Sequence, residues 1–293
     1  MHKTVFLKEA VDHLSLKVGD TVVDATFGNG GHTREILERV GPSGVVVAID
    51  QDPHAVERMR ELQKTFFNIR PIHGNFRALD TILAEGGIEC VDAVLFDVGL
   101  SQNLLEESER GFSFRKDEPL DMRMDPTTAI RAYDIVNTYP EHEIADIIYQ
   151  FGEERRSRRI ARAIVNERRS QRIKTSGVLS ELIMKISSGR ERSAKLHPAT
   201  RTFQALRIYV NDELAALEEG LTKAIAVLKP GGRCVVIAFH SLEDRIAKLL
   251  FRKEANHNTV RLVTKKPLTV SQEERITNPR ARSAKMRVIE KRI

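Results

Sequence analysis

At 293 residues, 41% of them hydrophobic, the chain can bury a substantial core as one large domain or two smaller ones. No apolar run approaches membrane-spanning length, and Met1-His2-Lys3-Thr4 lacks a signal-peptide pattern, so a cytoplasmic protein with no membrane partner is expected. The net charge of +6 is uneven: residues 1–100 hold 10 Lys/Arg against 15 Asp/Glu, a balance of −5, whereas residues 151–207 hold 15 against 5, a balance of +10. That asymmetry argues against a uniformly basic surface and for a polyanion docking on the middle of the chain.

The absence of Trp and the 5% aromatic content make a series of base-stacking platforms improbable. Cys90 and Cys234 both adjoin apolar runs and read as buried small hydrophobes in a reducing compartment. No cysteine or histidine spacing suggests a metal site.

In chain order, residues 4–18 predict a short helix carrying Val5, Phe6, Leu7, Val11, Leu14 and Leu16. The β-branched run Thr21-Val22-Val23 predicts a strand, and Gly28-Asn29-Gly30-Gly31 a tight turn into a helix with Ile36, Leu37 and Val40. A second strand, Val45–Ile49, ends at Asp50, a position suited to accepting ribose hydroxyls. Strand, glycine turn, helix, strand and terminal acid together describe a nucleoside site. A dinucleotide turn would place glycine where Thr33 stands. Asp24, on the first strand, would repel a pyrophosphate but not a cationic amino-acid tail, so S-adenosylmethionine fits better than a nicotinamide cofactor.

Asp52-Pro53 opens a helix, a third strand spans Ile69–Ile72, and Asn75 and Phe76 follow at its tip, where Phe76 can pack on an adenine or simply fill the core. A fourth strand, Val91–Gly99, brings Asp97 to the same carboxyl edge as Asp24 and Asp50. From Leu104 the strand–helix alternation stops. Helices are expected over Glu141–Gly152, Glu154–Arg169 and Gly177–Ile186, with Arg155, Arg158, Arg159, Arg162 and Arg169 at helical spacing as a phosphate-contacting face. His197-Pro198-Ala199-Thr200 begins the longest helix, reaching Leu228, after which the strand Cys234–Phe239 resumes the core. His240 lies at that strand's end and is either a base or a structural loop histidine. A helix over 243–253 and strands near Val260–Val263 and Lys285–Ile289 complete the chain, the last one pairing with its predecessor. The expected division is core residues 1–103, an inserted helical domain 104–198, and core residues 199–293.

Several ordered strings carry a resemblance: Asp24–His32, Arg110-Gly111-Phe112-Ser113-Phe114, Pro119–Asp125, Tyr149–Arg155, His197–Arg207, Phe239–Arg245 and Asn278–Ser283. Across nearly the whole chain they resemble the bacterial small-subunit ribosomal RNA methyltransferases that modify a cytosine N4 amine near the decoding centre, the MraW/RsmH family. The resemblance implies an α/β class I S-adenosylmethionine-dependent methyltransferase fold, Rossmann-like with a doubly wound, mostly parallel sheet and an inserted helical subdomain. It implies cofactor contacts at Gly30, Gly31, His32, Asp50, Phe76 and Asp97, to which the turn pattern itself adds Gly28. It implies 16S rRNA or the 30S particle as partner. Arg201 joins the arginines above as a candidate RNA contact, and a homodimer is an option the sequence leaves open. One departure stands out. The family's G-V-S-S-P-Q-L-D reads Gly99-Leu100-Ser101-Gln102-Asn103-Leu104-Leu105-Glu106 here, so a polar cofactor contact falls on Leu104 unless Gln102 replaces it.

The cytosine amine is a poor nucleophile because its lone pair is delocalised into the ring. Asp97 is expected either to accept an amine hydrogen or to anchor the cofactor. A non-catalytic RNA-binding assembly factor and a nicotinamide oxidoreductase are the alternatives.

Overall fold

The computed structural model describes residues 4–192 and 196–292. The chain divides into two compact units, Met1–Leu100 with Leu214–Ile293 forming one and Ser101–Glu213 the other.

The first unit is built on one sheet with strands β1 (Thr21–Asp24), β2 (Val45–Asp50), β3 (Ile69–His73), β4 (Val91–Asp97), β5 (Leu228–Ala238), β6 (Val260–Leu262), β7 (Leu268–Thr269) and β8 (Lys285–Lys291). The order is β3-β2-β1-β4-β5-β8-β6, with β7 on β8. Strands β1 to β5 pair in parallel, and β8 runs antiparallel to β5 and β6. The last strand thus meets β6, as expected, and also inserts between β6 and β5. Adjacent residues face opposite sides of the sheet: Val22 belongs to one buried cluster with Val11, Ile36 and Met59, and Val23 to another with Leu79, Leu217 and Phe251. Helices cover both faces, which is why these strands read as unbroken apolar runs. The sheet's tips therefore turn from β1 and β2 outward on one side and from β4 and β5 on the other, the switch point where α/β sheets hold ligands.

Several elements differ from expectation. The first helix is shorter, Leu7–Leu14. The expected 200–228 helix breaks at Asp212, whose backbone is left-handed (φ 47), giving Thr200–Asn211 and Glu213–Val227. Apolar periodicity continues across the break, so periodicity could not reveal it. The helix Thr200–Asn211 packs on Glu141–Gly152 and Ala132–Thr138, so the second unit extends to Glu213 rather than ending at 198. Short helices at Leu79–Glu85, Ala132–Thr138 and Gln272–Thr277 have no clear sequence period. Cys234 is buried as expected, and burial raises its thiol pKa, but Cys90 is exposed, lying just before β4 rather than in it.

The second unit is helical. Ile144 and Ile148 from Glu141–Gly152, Ile160 and Ile164 from Ser157–Ser170, and Phe203 and Leu206 from Thr200–Asn211 are buried. Gly152 lets two of these helices touch: a Cβ there would lie 2.5 Å from the Arg201 carbonyl oxygen.

Candidate active site

In the first unit the glycine turn is organised by acids. Asp24, fully buried, accepts the Thr33 hydroxyl and, at 3.1 Å, the Thr26 amide. Thr33, which departs from the dinucleotide pattern, thus has a job that glycine could not do. Burial raises the Asp24 pKa to about 6, with the Asp50 charge adding and the two hydrogen bonds opposing. Gly30 caps the helix Gly31–Val40 in the left-handed region (φ 75), and a Cβ there would meet the Phe27 ring at 2.7 Å. Gly31 is closed from the other side by Thr4.

Asp50, at the tip of β2, accepts the Gly28 amide on Oδ2 (2.8 Å) and the Asp52 amide on Oδ1 (2.9 Å). Burial raises its pKa against those two donors. Each carboxylate oxygen has a second lone pair, so Asp50 can brace the turn and still accept a hydroxyl. Arg58 was not singled out by any motif, yet its Nη2 donates to the Gly28 carbonyl at 3.0 Å. Both polar backbone groups of Gly28 are therefore committed within the protein.

Asp97, at the tip of β4, is tied to β1 through its amide, which donates to Thr26 Oγ1 at 2.6 Å. Thr26 thereby links two of the three acidic tips, a role visible only in three dimensions. Asp97 Oδ2 lies 3.6 Å from His32 Nδ1. Its side chain is 23% exposed, but Oδ1 is buried and has no hydrogen-bond partner among the described residues. Burial, then the charges of Asp24 and Glu243, push its pKa well above the usual carboxylate value. His32 is buried with Nε2 unpartnered. Desolvation lowers its pKa to about 4 despite the facing carbonyls of Val5 and Phe6, so the imidazole is neutral.

Three acids, one of them with an unsatisfied buried oxygen, beside a neutral imidazole suit a cationic ligand. Orphaned acceptors of this kind cost free energy until a donor arrives. An ammonium supplies that donor and a pyrophosphate does not, so the residues fit S-adenosylmethionine.

The other expected residues fall differently. Phe76 is half-buried, edge-on to Phe96 at 5.4 Å and against Gly220, while Asn75 caps its 3-10 turn and donates to Gln51 at 3.1 Å. His240 caps the helix Ser241–Asn256: its Nδ1 accepts the Glu243 amide, and Glu243 Oε2 accepts the Phe239 amide at 2.7 Å. Its structural reading thus has a definite partner. In the second unit Leu104 is buried in Gln102–Glu106, and Gln102 donates to Glu106 at 2.8 Å.

Arg158, Arg159 and Arg162 line the exposed side of Ser157–Ser170, with Arg162 3.5 Å from Glu141. Arg155 is also exposed, but it precedes the helix, so the cationic face is one residue shorter than its spacing suggests. Arg201 donates to the Glu153 carbonyl at 3.1 Å.

The family model described as the MraW methylase family matches residues 1–292. The chain is similar to "Ribosomal RNA small subunit methyltransferase H" of Neorickettsia sennetsu, 50% identical over 99% of this chain and 96% of that protein. The protein of the same name in Thermomicrobium roseum is 46% identical, over 99% and 93%. A solved rRNA methylase of Streptococcus thermophilus is 13% identical with a TM-score of 0.46, covering 100% of this chain and 99% of that one, too distant to inform the site.

Proposed function

The chain belongs to the MraW methylase family, and from that premise we propose that it is an S-adenosylmethionine-dependent methyltransferase of small-subunit ribosomal RNA, acting in the cytoplasm on 16S rRNA or the 30S particle. The target this reading favours is the N4 amine of one cytidine, on the motif resemblance. The observation that carries the site is Asp97 Oδ1, a buried carboxylate oxygen left without a donor.

When bound, S-adenosylmethionine supplies a sulfonium-activated methyl carbon open to in-line attack, so the protein mainly has to position and exclude water. Asp97 Oδ1 would accept from the cationic tail, whose positive charge would offset the repulsion from Asp24 and Glu243. Asp50 would accept from the ribose through its remaining lone pairs. His32, held neutral, faces Asp97 through Nδ1. Gly30 and Gly31 keep the backbone turn low, and Phe76 would border the adenine. His240 braces the β5 tip through its cap. Arg158, Arg159 and Arg162 contact phosphates, which holds RNA without choosing a base.

The test has two arms. Equilibrium titration with S-adenosylhomocysteine and with NADH is expected to saturate for the first alone. Labelled methyl transfer to small subunits from cells lacking this protein, mapped by mass spectrometry, is expected to mark one cytidine. Transfer to no small-subunit RNA would end the reading; transfer to a different atom would correct the target.

A further inference from the structure

Two of the motifs that carry the resemblance, Arg110–Phe114 and His197–Arg207, both lie in the second unit. There they meet. The Phe114 and His197 rings stack with centroids 4.5 Å apart and planes 21° from parallel. Phe203 stands edge-on beneath Phe114 at 5.2 Å, buried in the helical core. The pair is thus rigidly backed, yet both members are only partly buried.

His197 is also oriented. Its Nδ1 accepts the Ala199 amide at 3.2 Å, which leaves the ring proton on Nε2. Desolvation lowers its pKa, so the neutral form is held. Exposed Arg115 follows Phe114 in the chain, and exposed Arg201 lies in the first turn of the helix after His197. Leu196, 59% exposed, precedes the stack. A rigid aromatic step whose His197 belongs to the stretch 151–207, with its balance of +10, and which has Arg115 and Arg201 adjoining it in the chain, has the two properties single-stranded RNA sites combine: a π-face and nearby cations. Core packing alone would not require both rings to reach the surface, nor a histidine fixed as a neutral donor.

We propose that the Phe114–His197 stack is a platform for an unpaired nucleobase of the RNA substrate, with His197 Nε2 donating to an acceptor on the base edge. The arginines supply attraction along the chain, and the platform supplies a place where one base must be unstacked from its neighbours. This rests on the ribosomal RNA reading above.

Phe114→Leu keeps an apolar side chain on Phe203, and His197→Asn keeps an acceptor for the Ala199 amide while removing the ring. Each is expected to weaken binding to undermethylated small subunits by about tenfold, the size of one base–aromatic stack. Affinity for S-adenosylhomocysteine, the melting temperature and the salt slope of RNA binding are expected to stay as in the wild type. Phe114→Tyr is expected to restore binding. In the unmutated protein, photocrosslinking to 4-thiouridine-substituted small subunits is expected to label peptides containing Phe114 or His197. Unchanged RNA affinity in both ring-removing variants would overturn the platform, as would crosslinks confined to other peptides. Loss of cofactor affinity together with RNA affinity would also overturn it, by assigning the stack a structural role. If the wild type transfers no methyl group to small-subunit RNA, the functional reading fails and the platform with it. Failure of the variants alone touches only the platform.

Discussion

The glycine turn of the first unit and the arginine face of the second bind charge by opposite means. Around the turn, Asp24, Asp50 and Asp97 are desolvated, and protein donors hold part of each residue in place. Their pKa values rise because burial penalises the ionised form. Along Ser157–Ser170, Arg158, Arg159 and Arg162 stand in water, and none of the three donates to a backbone carbonyl among the described residues. Arg168, on the inner side, donates to the Val136 carbonyl at 2.9 Å and shows what a structural arginine looks like in the same helix. The first arrangement is preorganised, so affinity comes from a few atoms in fixed places. The second is adaptable, so affinity comes from summed charge and falls with salt.

The sharpest way to break this contrast is Asp97→Asn. It is expected to weaken S-adenosylhomocysteine binding by on the order of 10²-fold, as for truncation of one partner of a buried charge pair. Stability is expected to hold or rise, because a crowded buried carboxyl is removed. Calorimetric titration and thermal melting measure the two. Full cofactor affinity in this variant would remove Asp97 from the binding role.

Next in size is a pH effect within the turn. The folded-state pKa of Asp24 is raised, so its contribution to stability is present at low pH and lost as pH climbs from about 4 through about 6. The folded-state pKa of His32 is lowered from 6.5 to about 4, so stability falls as pH drops through that window, when the unfolded chain takes up the proton. The two slopes oppose. Asp24→Asn is therefore expected to gain on the wild type by roughly 2–3 kcal/mol between pH 4 and 6, on top of a constant loss from the Thr33 bond. Urea titrations across that range read the slope; a flat difference would mean Asp24 ionises normally.

The smallest effect on the fold, and the one that isolates the other region, is the triple change Arg158→Ala, Arg159→Ala and Arg162→Ala. Each surface substitution is expected to alter stability by less than about 0.5 kcal/mol, and the 3.5 Å Arg162–Glu141 pair is too exposed to add much. RNA affinity is expected to fall with the salt slope reduced by about 0.7 per lost single-strand contact. An unchanged slope would place phosphate contact elsewhere.

Much of this contrast was legible before any coordinates. The strand ends carrying Asp24, Asp50 and Asp97 are marked by where apolar runs stop, and the runs are unbroken because helices bury both faces of the sheet. The arginine face is marked by helical spacing, apart from Arg155. The wiring was not legible. That Asp50 accepts the Gly28 amide, that Arg58 holds the Gly28 carbonyl and that Thr26 joins two tips are contacts between residues 22 to 71 positions apart. No local pattern encodes them. His240 likewise sits at a strand end like the acids, and only its cap geometry shows what it does locally.

From its amino acids alone this chain determined its class of fold, its likeness to a family and the sign of charge in each region, because hydrophobic period, glycine placement and net charge are local or additive properties. Tertiary structure decided which of the three strand-tip acids keeps a buried oxygen unsatisfied, that His32 is neutral, where the second unit ends and which two distant motifs stack ring on ring. Burial and partnership depend on what the rest of the chain brings to a point, and no stretch of sequence carries that information by itself.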